Sequence, residues 1–312
     1  MKHFAHVDAS SVEEASRLLG DDAVAIAGGT DLLGVLKDEI LRGYPKTVVN
    51  LKTIPGLDRI EEDGDTVRIG ALVKVRDVAE SELIRERYAC LAEAAAKVAS
   101  PAIRTMGTFG GNICQQHRCW YFRCADNRFD CIRKGGSYCP AAIGDNRYHS
   151  IFGELHGCYA ANSQETAPAL VALGATVVTN RRSIAAADFF DANVIRSNVL
   201  EEGEVVTHVE LPNRKFASAF QKYALRKAID FAIVNCTVAV DEDGSTAIVL
   251  GGVYPVPWRC TEAEKALGGK IDADSAQKAA DAAVANAQPL AENAYKVEIA
   301  RALVKRTLLE LA

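Results

Sequence analysis

Along the 312-residue chain the spacing of apolar positions changes period several times. Near the N-terminus, Ser10 and Glu13 read as a capping box for a helix running through Leu19 and closed by Gly20. The apolar run AVAIA at 23–27 and the run TVVNL at 47–51 read as buried strands, and LLGVL at 32–36 as a short helix between them. The first fifty residues therefore predict a small βαβ-like unit. The stretch 66–71 alternates as a strand after an acidic turn at 61–65. Positions 91–99 and 168–174 predict helices, and 175–179 and 205–211 predict strands, the last ending at Pro212. From Phe216 onward the pattern becomes strands at 218–225, 233–240 and 246–252, with Asp241 to Gly244 as a hairpin turn. Alanine-rich amphipathic helices follow at about 273–286 and 293–311, which predicts a separate C-terminal α+β domain.

Composition narrows the class. Hydrophobic residues make up 49% of the chain, enough for a sizeable core. The net charge of −5 carries no clustered basic excess, so no nucleic-acid partner is expected. No run approaches the roughly 18 apolar residues of a membrane span. The N-terminus lacks a charged-then-apolar signal pattern, so a cytoplasmic location is expected.

Two glycine turns are candidate phosphate sites. Ala27, Gly28, Gly29, Thr30 and Asp31 follow the first buried run, and Thr108 to Asn112 (TFGGN) form the second. Small residues let backbone approach a ligand, and free N–H groups in such turns bind phosphate from either side of a dinucleotide. Neither turn matches G-x-G-x-x-G, which argues against a Rossmann NAD site.

Six of the nine cysteines (Cys114, Cys119, Cys124, Cys131, Cys139, Cys158) fall between 114 and 158; Cys90, Cys236 and Cys260 are isolated and read as buried small hydrophobes. The segment also holds three histidines (His117, His149, His156), seven aromatics, and six Lys or Arg against four acids. Clustered thiols in a reducing compartment point to metal or redox chemistry. Zinc favours close cysteine pairs, whereas the spacing here is C-x4-C-x4-C-x6-C-x7-C-x18-C. Wide, irregular spacing suits an iron–sulfur cluster held by a folded loop, with zinc and free thiols as the alternatives.

AGGTDLL (27–33) followed by RTMGTFGGN (104–112) resembles the FAD subunit of xanthine dehydrogenases, carbon monoxide dehydrogenases and their relatives. The resemblance continues through SQETAPALVALGA (163–175), VELP (209–212), SAFQKYALRKAIDFAIVN (218–235), PWRCTEAEKAL (257–267) and AYKVEIARALVKRTL (294–308), and so covers essentially the whole chain. It implies an α+β molecule: a two-subdomain FAD-binding α/β fold of the vanillyl-alcohol-oxidase (PCMH) kind, plus a C-terminal α+β domain of the CO dehydrogenase flavoprotein type. The expected division is 1–53, 54–214 with the insert at about 114–158, and 215–312. By resemblance, Ala27, Gly28, Gly29, Thr30, Asp31 and Leu32 wrap the FAD pyrophosphate, and Thr108, Gly111 and Asn112 line the flavin site. Glu165 stands where the family usually has Asp. Lys222 matches a family lysine near the isoalloxazine; its alternative is a solvated lysine on a strand.

Ordinary members pass directly from the GGN turn to the loop before the apolar helix. The stretch from Cys119 through Cys131-IRKGGSY-Cys139 to Cys158 resembles the [4Fe–4S] insert of one branch, 4-hydroxybenzoyl-CoA reductase. That resemblance implies Cys119, Cys131, Cys139 and Cys158 as ligands, with Cys124 the main competitor for the first position and Cys114 structural. The histidines are expected to be loop hydrogen-bonders. The implied partners are a molybdenum-cofactor large subunit, a small subunit with two [2Fe–2S] clusters, and ferredoxin as external carrier. The first expectation is thus an electron relay of the 4-hydroxybenzoyl-CoA reductase kind. A xanthine- or aldehyde-oxidising hydroxylase is the second, and a flavin-free, zinc-stabilised binding protein the third.

Overall fold

The computed structural model describes residues 1–20, 22–41, 43–125, 128–190 and 194–312. Asp126 and Asn127 of the cysteine segment, the first of them one of its four acids, lie outside the described residues. The N-terminal unit runs β1 (Ala5–Asp8), α1 (Val12–Leu18), β2 (Ala23–Ile26), α2 (Leu32–Lys37) and β3 (Thr47–Asn50). β3 lies between β1 and β2, parallel to both. β3 is hydrogen-bonded along both edges, and Val48 and Val49, which point to opposite faces, are both buried, so the strand is covered on both sides. The cap of α1 falls one residue later than the sequence pattern places it. Ser11 is the N-cap and accepts the Glu14 N–H at 3.1 Å, while Ser10 bonds the Glu14 carboxylate. Either serine can cap; the register that puts Ala15 fully into the core selects Ser11.

The second sheet is antiparallel and five-stranded, in the order β4-β5-β8-β6-β7. Its strands are β4 (Ile60–Asp63), β5 (Thr66–Gly70), β6 (Thr176–Thr179), β7 (Ser183–Ala185) and β8 (Val206–Pro212). Between β5 and β6 the chain forms α3 (Val75–Glu80), α4 (Glu82–Arg87), α5 (Ala89–Ala96), α6 (Pro101–Met106) and α7 (Phe109–Cys114). It then forms α8 (Trp120–Arg123) within the cysteine segment, and α9 (Thr166–Ala172); α10 (Ala186–Phe189) follows β7. The largest core joins Val67, Ile69, Val209 and Leu211 of the sheet to Leu91 of α5 and Leu170 of α9. Every residue of α9 is buried. A helix apolar all round has to be enclosed, and α9 packs against α5 on one side and the third sheet on the other.

That third sheet is antiparallel, in the order β12-β11-β10-β9: β9 (Ala217–Tyr223), β10 (Val234–Val240), β11 (Thr246–Gly251) and β12 (Trp258–Arg259). Gly244, at φ +82°, turns the chain between β10 and β11 in a conformation that favours glycine. α11 (Thr261–Leu267), α12 (Ala273–Val284) and α13 (Tyr295–Leu309) supply the rest of this core. Ile151 and Phe152 of the cysteine segment join it, with Phe152 stacked on Trp258 at 4.4 Å. Among the described residues no helix is long and apolar enough to cross a membrane.

Candidate functional site

The two glycine turns pack against each other. A Cβ on Gly28 would lie 2.2 Å from the Met106 carbonyl oxygen and 2.9 Å from the Gly107 Cα, so only glycine permits this approach. Together the turns wall one cavity of about 440 Å³. Ala27, Gly28, Gly29, Thr30, Asp31 and Leu32 line it from the first turn, Thr108, Gly111 and Asn112 from the second, and Glu165 from the start of α9.

The turns are not equivalent donors. Among the described residues, no backbone N–H from Ala27 to Asp31 has a partner. In the second turn the N–H groups are used internally. Phe109 donates to Val73 O, Gly110 to Ala71 O, Gly111 to the Thr108 hydroxyl at 3.2 Å, and Asn112 to Thr108 O. What reads in sequence as a second phosphate-type turn is the capped start of α7, with Thr108 as N-cap. Only the first turn offers a row of open donors for an anion. Charge favours the same place. Asp31 Oδ1 meets Arg118 at 3.0 Å and Arg123 at 2.9 Å, so two guanidinium groups face one carboxylate beside the open N–H groups. The carboxylate's other oxygen accepts the Gln116 N–H.

Glu165 and Lys222 come together although 57 residues separate them. Lys222 Nζ donates to Glu165 Oε1 at 2.8 Å and to the carbonyls of Lys97 and Asp230. The side chains are 9% and 2% exposed, which removes the solvated-lysine alternative. Burial pushes the Glu165 carboxyl up and Lys222 draws it back down. Glu165 lines the cavity; Lys222 stands behind it.

The cysteine segment sorts its own thiols. Cys119 immediately precedes α8; Cys131 and Cys139 precede the 3-10 turns Ile132–Lys134 and Pro140–Ala142. Each sulfur therefore faces the backbone N–H groups that open the next turn: Tyr121 and Phe122 for Cys119, Arg133 and Lys134 for Cys131, Ala141 for Cys139. Cys158 Sγ accepts the Ala160 N–H at 3.3 Å. These four thiols also lie within electrostatic reach of one another, with Cys158 neighbouring the other three. Burial pushes Cys119 up to about 12 and raises Cys131, and the Cys139 thiol donates to Cys158. That donated bond lowers Cys158, aided by the Arg133 guanidinium, whose Nε lies 3.1 Å from its sulfur. Arg133 is 5% exposed and its Nη1 has no hydrogen-bond partner. A buried cation with an open donor beside Cys158, itself the neighbour of the other three sulfurs, fits an anionic, thiolate-ligated group.

Cys114 is half-buried beside the cavity and touched by no other thiol. His117 is hydrogen-bonded through both nitrogens, to Ser197 and to the Pro255 carbonyl. His149 Nε2 lies 3.2 Å from Cys119 Sγ. Among the described residues no group of three or more His, Cys, Asp or Glu side chains is drawn tightly enough for one metal ion. A cubane does not need that, since each ligand binds its own iron.

Residues 2–214 match the family model described as the FAD binding domain in molybdopterin dehydrogenase. The chain belongs to this family. Residues 219–311 match the CO dehydrogenase flavoprotein C-terminal domain. The chain is 34% identical to the aldehyde oxidoreductase FAD-binding subunit PaoB of Escherichia coli, over 97% of this chain and 95% of that protein. It is 31% identical to the carbon monoxide dehydrogenase medium chain of Hydrogenophaga pseudoflava, over 96% and 93%. The solved carbon monoxide dehydrogenase of that organism superposes with a TM-score of 0.75 at 28% identity, covering 99% and 96%. Quinoline 2-oxidoreductase from Pseudomonas putida 86 superposes with a TM-score of 0.76 at 25% identity, covering 100% and 98%.

This FAD-binding oxidoreductase subunit thus has, between its glycine turns, a cavity whose open N–H row and two guanidinium groups fit a diphosphate. Sequence reasoning missed Arg118, Arg123 and Phe231, which also shape the cavity or its approach. Arg118 and Arg123 flank Cys119 in sequence, but nothing in the sequence alone ties them to Asp31. Of the two enzymatic readings from sequence, the comparisons favour the second. The relatives named here are an aldehyde oxidoreductase and carbon monoxide and quinoline oxidoreductases, not acyl-CoA reductases.

Proposed function

We propose that this chain is the FAD-binding, electron-transferring subunit of an aldehyde-oxidising molybdenum hydroxylase, and that its insert binds a [4Fe–4S] cluster through Cys119, Cys131, Cys139 and Cys158. Its partners are a molybdenum-cofactor large subunit and a small [2Fe–2S] subunit, and its divisions fall at 53/54 and 214/215. The similarity to the aldehyde oxidoreductase subunit over nearly the full length supports the substrate class. The single observation that carries the cluster is the sorting of the thiols. Four of the six face backbone N–H groups, with Cys158 neighbouring the other three and bound by Arg133, whereas Cys114 is touched by no other thiol.

Bound FAD supplies the junction between two-electron and one-electron carriers. The chain's residues provide its seat. Ala27 to Asp31 present N–H groups to the diphosphate, and Arg118 and Arg123 balance its charge. Glu165 lines the site with its carboxylate fixed by Lys222. Around the sulfurs, the N–H groups of the turns work against the burial that favours the thiols, and Arg133 with the Cys139 thiol lowers Cys158, whose thiolate is the form a metal needs.

Iron, acid-labile sulfide and flavin analysis of the purified complex tests the reading. Four irons and one FAD per copy of this chain are expected, with turnover of aromatic or aliphatic aldehydes. Serine at Cys131 or at Cys139 should lower iron and leave flavin in place. If both variants keep four irons, the ligand assignment is wrong. Stoichiometric zinc in a colourless protein sinks the whole reading.

A further inference from the structure

A second cavity, of about 500 Å³, opens beside the first and shares Arg118 and Phe231 with it. Its walls are aromatic: Trp120, Tyr148 and His149 from the cysteine segment and Phe231 from the loop after β9. Trp120 sets the geometry, edge-on to Tyr148 at 5.4 Å and to His149 at 5.4 Å. Cys119 lies in the wall. The partition from the flavin cavity is Arg118 over the Phe231 ring at 5.0 Å, and both residues line both cavities. The mouth is open to solvent and apolar, with Leu225 at 69% exposure and Tyr148 at 40%.

The charges on this wall are already paired. Arg118 is bound to Asp31, and Arg226 to Asp230. On this side neither lining arginine is turned to a phosphate or carboxylate, since Arg118 points to Asp31 and the first cavity and Arg226 to Asp230, so a nucleotide or acyl-CoA is disfavoured here. A ring-lined cavity of this size, within the roughly 300–1,000 Å³ usual for small-molecule sites, suits a neutral planar aromatic molecule. Its position between the flavin cavity and Cys119 selects a molecule able to take up electrons.

We propose that this cavity is the acceptor site for a neutral quinone. The inference rests on the function proposed above. Oxidation of one aldehyde in the partner subunit yields two electrons. The quinone takes both, with two protons from water at the open mouth, and leaves as the hydroquinone.

The test uses the purified complex with menadione as the quinone and ferricyanide as a hydrophilic acceptor that needs no aromatic pocket. Wild-type complex should reduce both. Tyr148→Ala should raise the KM for menadione tenfold or more relative to the KM for ferricyanide. Leu225→Glu, a rim change that spares the packing, should raise the same ratio even if Tyr148→Ala folds poorly. Ile143→Ala, 87% exposed and outside the cavity, serves as the control and should leave the ratio as it is. A complex that holds flavin and iron and reduces ferricyanide but not menadione overturns the inference alone. So does an unchanged ratio in both cavity variants. A complex without flavin or iron overturns the underlying reading and takes this one with it.

Discussion

Arg133 shows how one side chain can report a missing neighbour. A guanidinium has five N–H donors in a fixed fork, and burial with a donor unpaired is costly. Arg133 directs Nε to Cys158 and leaves Nη1 buried without a partner. Partners of this kind tune metal affinity by ~10–100-fold. Arg133→Met keeps most of the side-chain volume and removes the charge. Iron per chain should fall on dialysis against chelator under conditions where wild type retains it, while flavin absorbance is preserved. Glu204 makes the opposite case, a buried charge with every partner in place. Its side chain is fully buried and accepts from Thr179, from the Glu201 N–H, and twice from Arg182 at 2.9 and 3.0 Å. Burial alone raises such a carboxyl, but these four bonds outweigh it and hold Glu204 down at about 2. Its pKa is thus lower folded than unfolded. The stabilisation is complete above the unfolded value of about 4.3 and is lost as pH falls toward 2. Glu204→Gln should cost about 2 kcal/mol at neutral pH. The gap in melting midpoint between it and wild type should hold from pH 8 to 5 and close between pH 4.5 and 2.

Between neighbouring elements, the proposed flavin seat depends on how closely the β2–α2 turn meets the α6–α7 junction. Gly28→Ala puts a methyl 2.2 Å from the Met106 carbonyl, and backbone cannot yield as a flexible side chain would. The turn must then move away and re-aim its open N–H groups. Flavin content should fall at least tenfold, with the far-UV circular dichroism unchanged. A variant that keeps full flavin would show that the close approach is not needed. Much of this level was legible in the sequence. The apolar runs at 23–27 and 47–51 became β2 and β3, but only β3 is a covered strand; β2, expected to be buried, is a half-exposed edge strand because its residues line the cavity. The C-terminal strands and long helices also formed near their expected bounds. The short helices α3, α4 and α6 were not foreseen. At six residues each they show too little of a period to read, and two of them are fixed by caps at Ser81 and Ser100. The site divided in the same way. Its glycines and cysteines announce themselves by type, whereas Arg118 and Arg123 belong to it only because the segment folds back onto Asp31.

Across the whole molecule, the cysteine segment is inserted between elements of one sheet but fastened to another part of the chain. The C-terminal domain grips its last stretch at the start of α13. Asn293 donates to the carbonyls of Asn146, His149 and Ser150, and the Tyr295 hydroxyl to that of Arg147. Lys296, fully buried, donates to the carbonyls of Tyr148, His149 and Gly252. Its Nζ thus pins the segment to the end of β11, and burial lowers its pKa to about 7. An ammonium in that position is costly, and its three carbonyl partners would be equally costly to leave unpaired. Lys296→Met fills the space and removes the pin. The three freed carbonyls should cost about 1–3 kcal/mol in all, since some can reach water once the segment loosens. The loss should fall unevenly. None of the residues that line the proposed flavin cavity lies in the pinned stretch, so flavin should stay. Cys139 and Cys158 lie on either side of the pinned stretch, so iron should leave first on chelator challenge. Wild type should also gain stability relative to the variant as pH rises from about 7 toward 10, because the unfolded lysine keeps a proton that the folded one has released. Following iron, flavin and melting midpoint in both proteins across that range separates a pin on the segment from a general loss of packing. Equal loss of iron and flavin would show that the insert is not held from the C-terminal side.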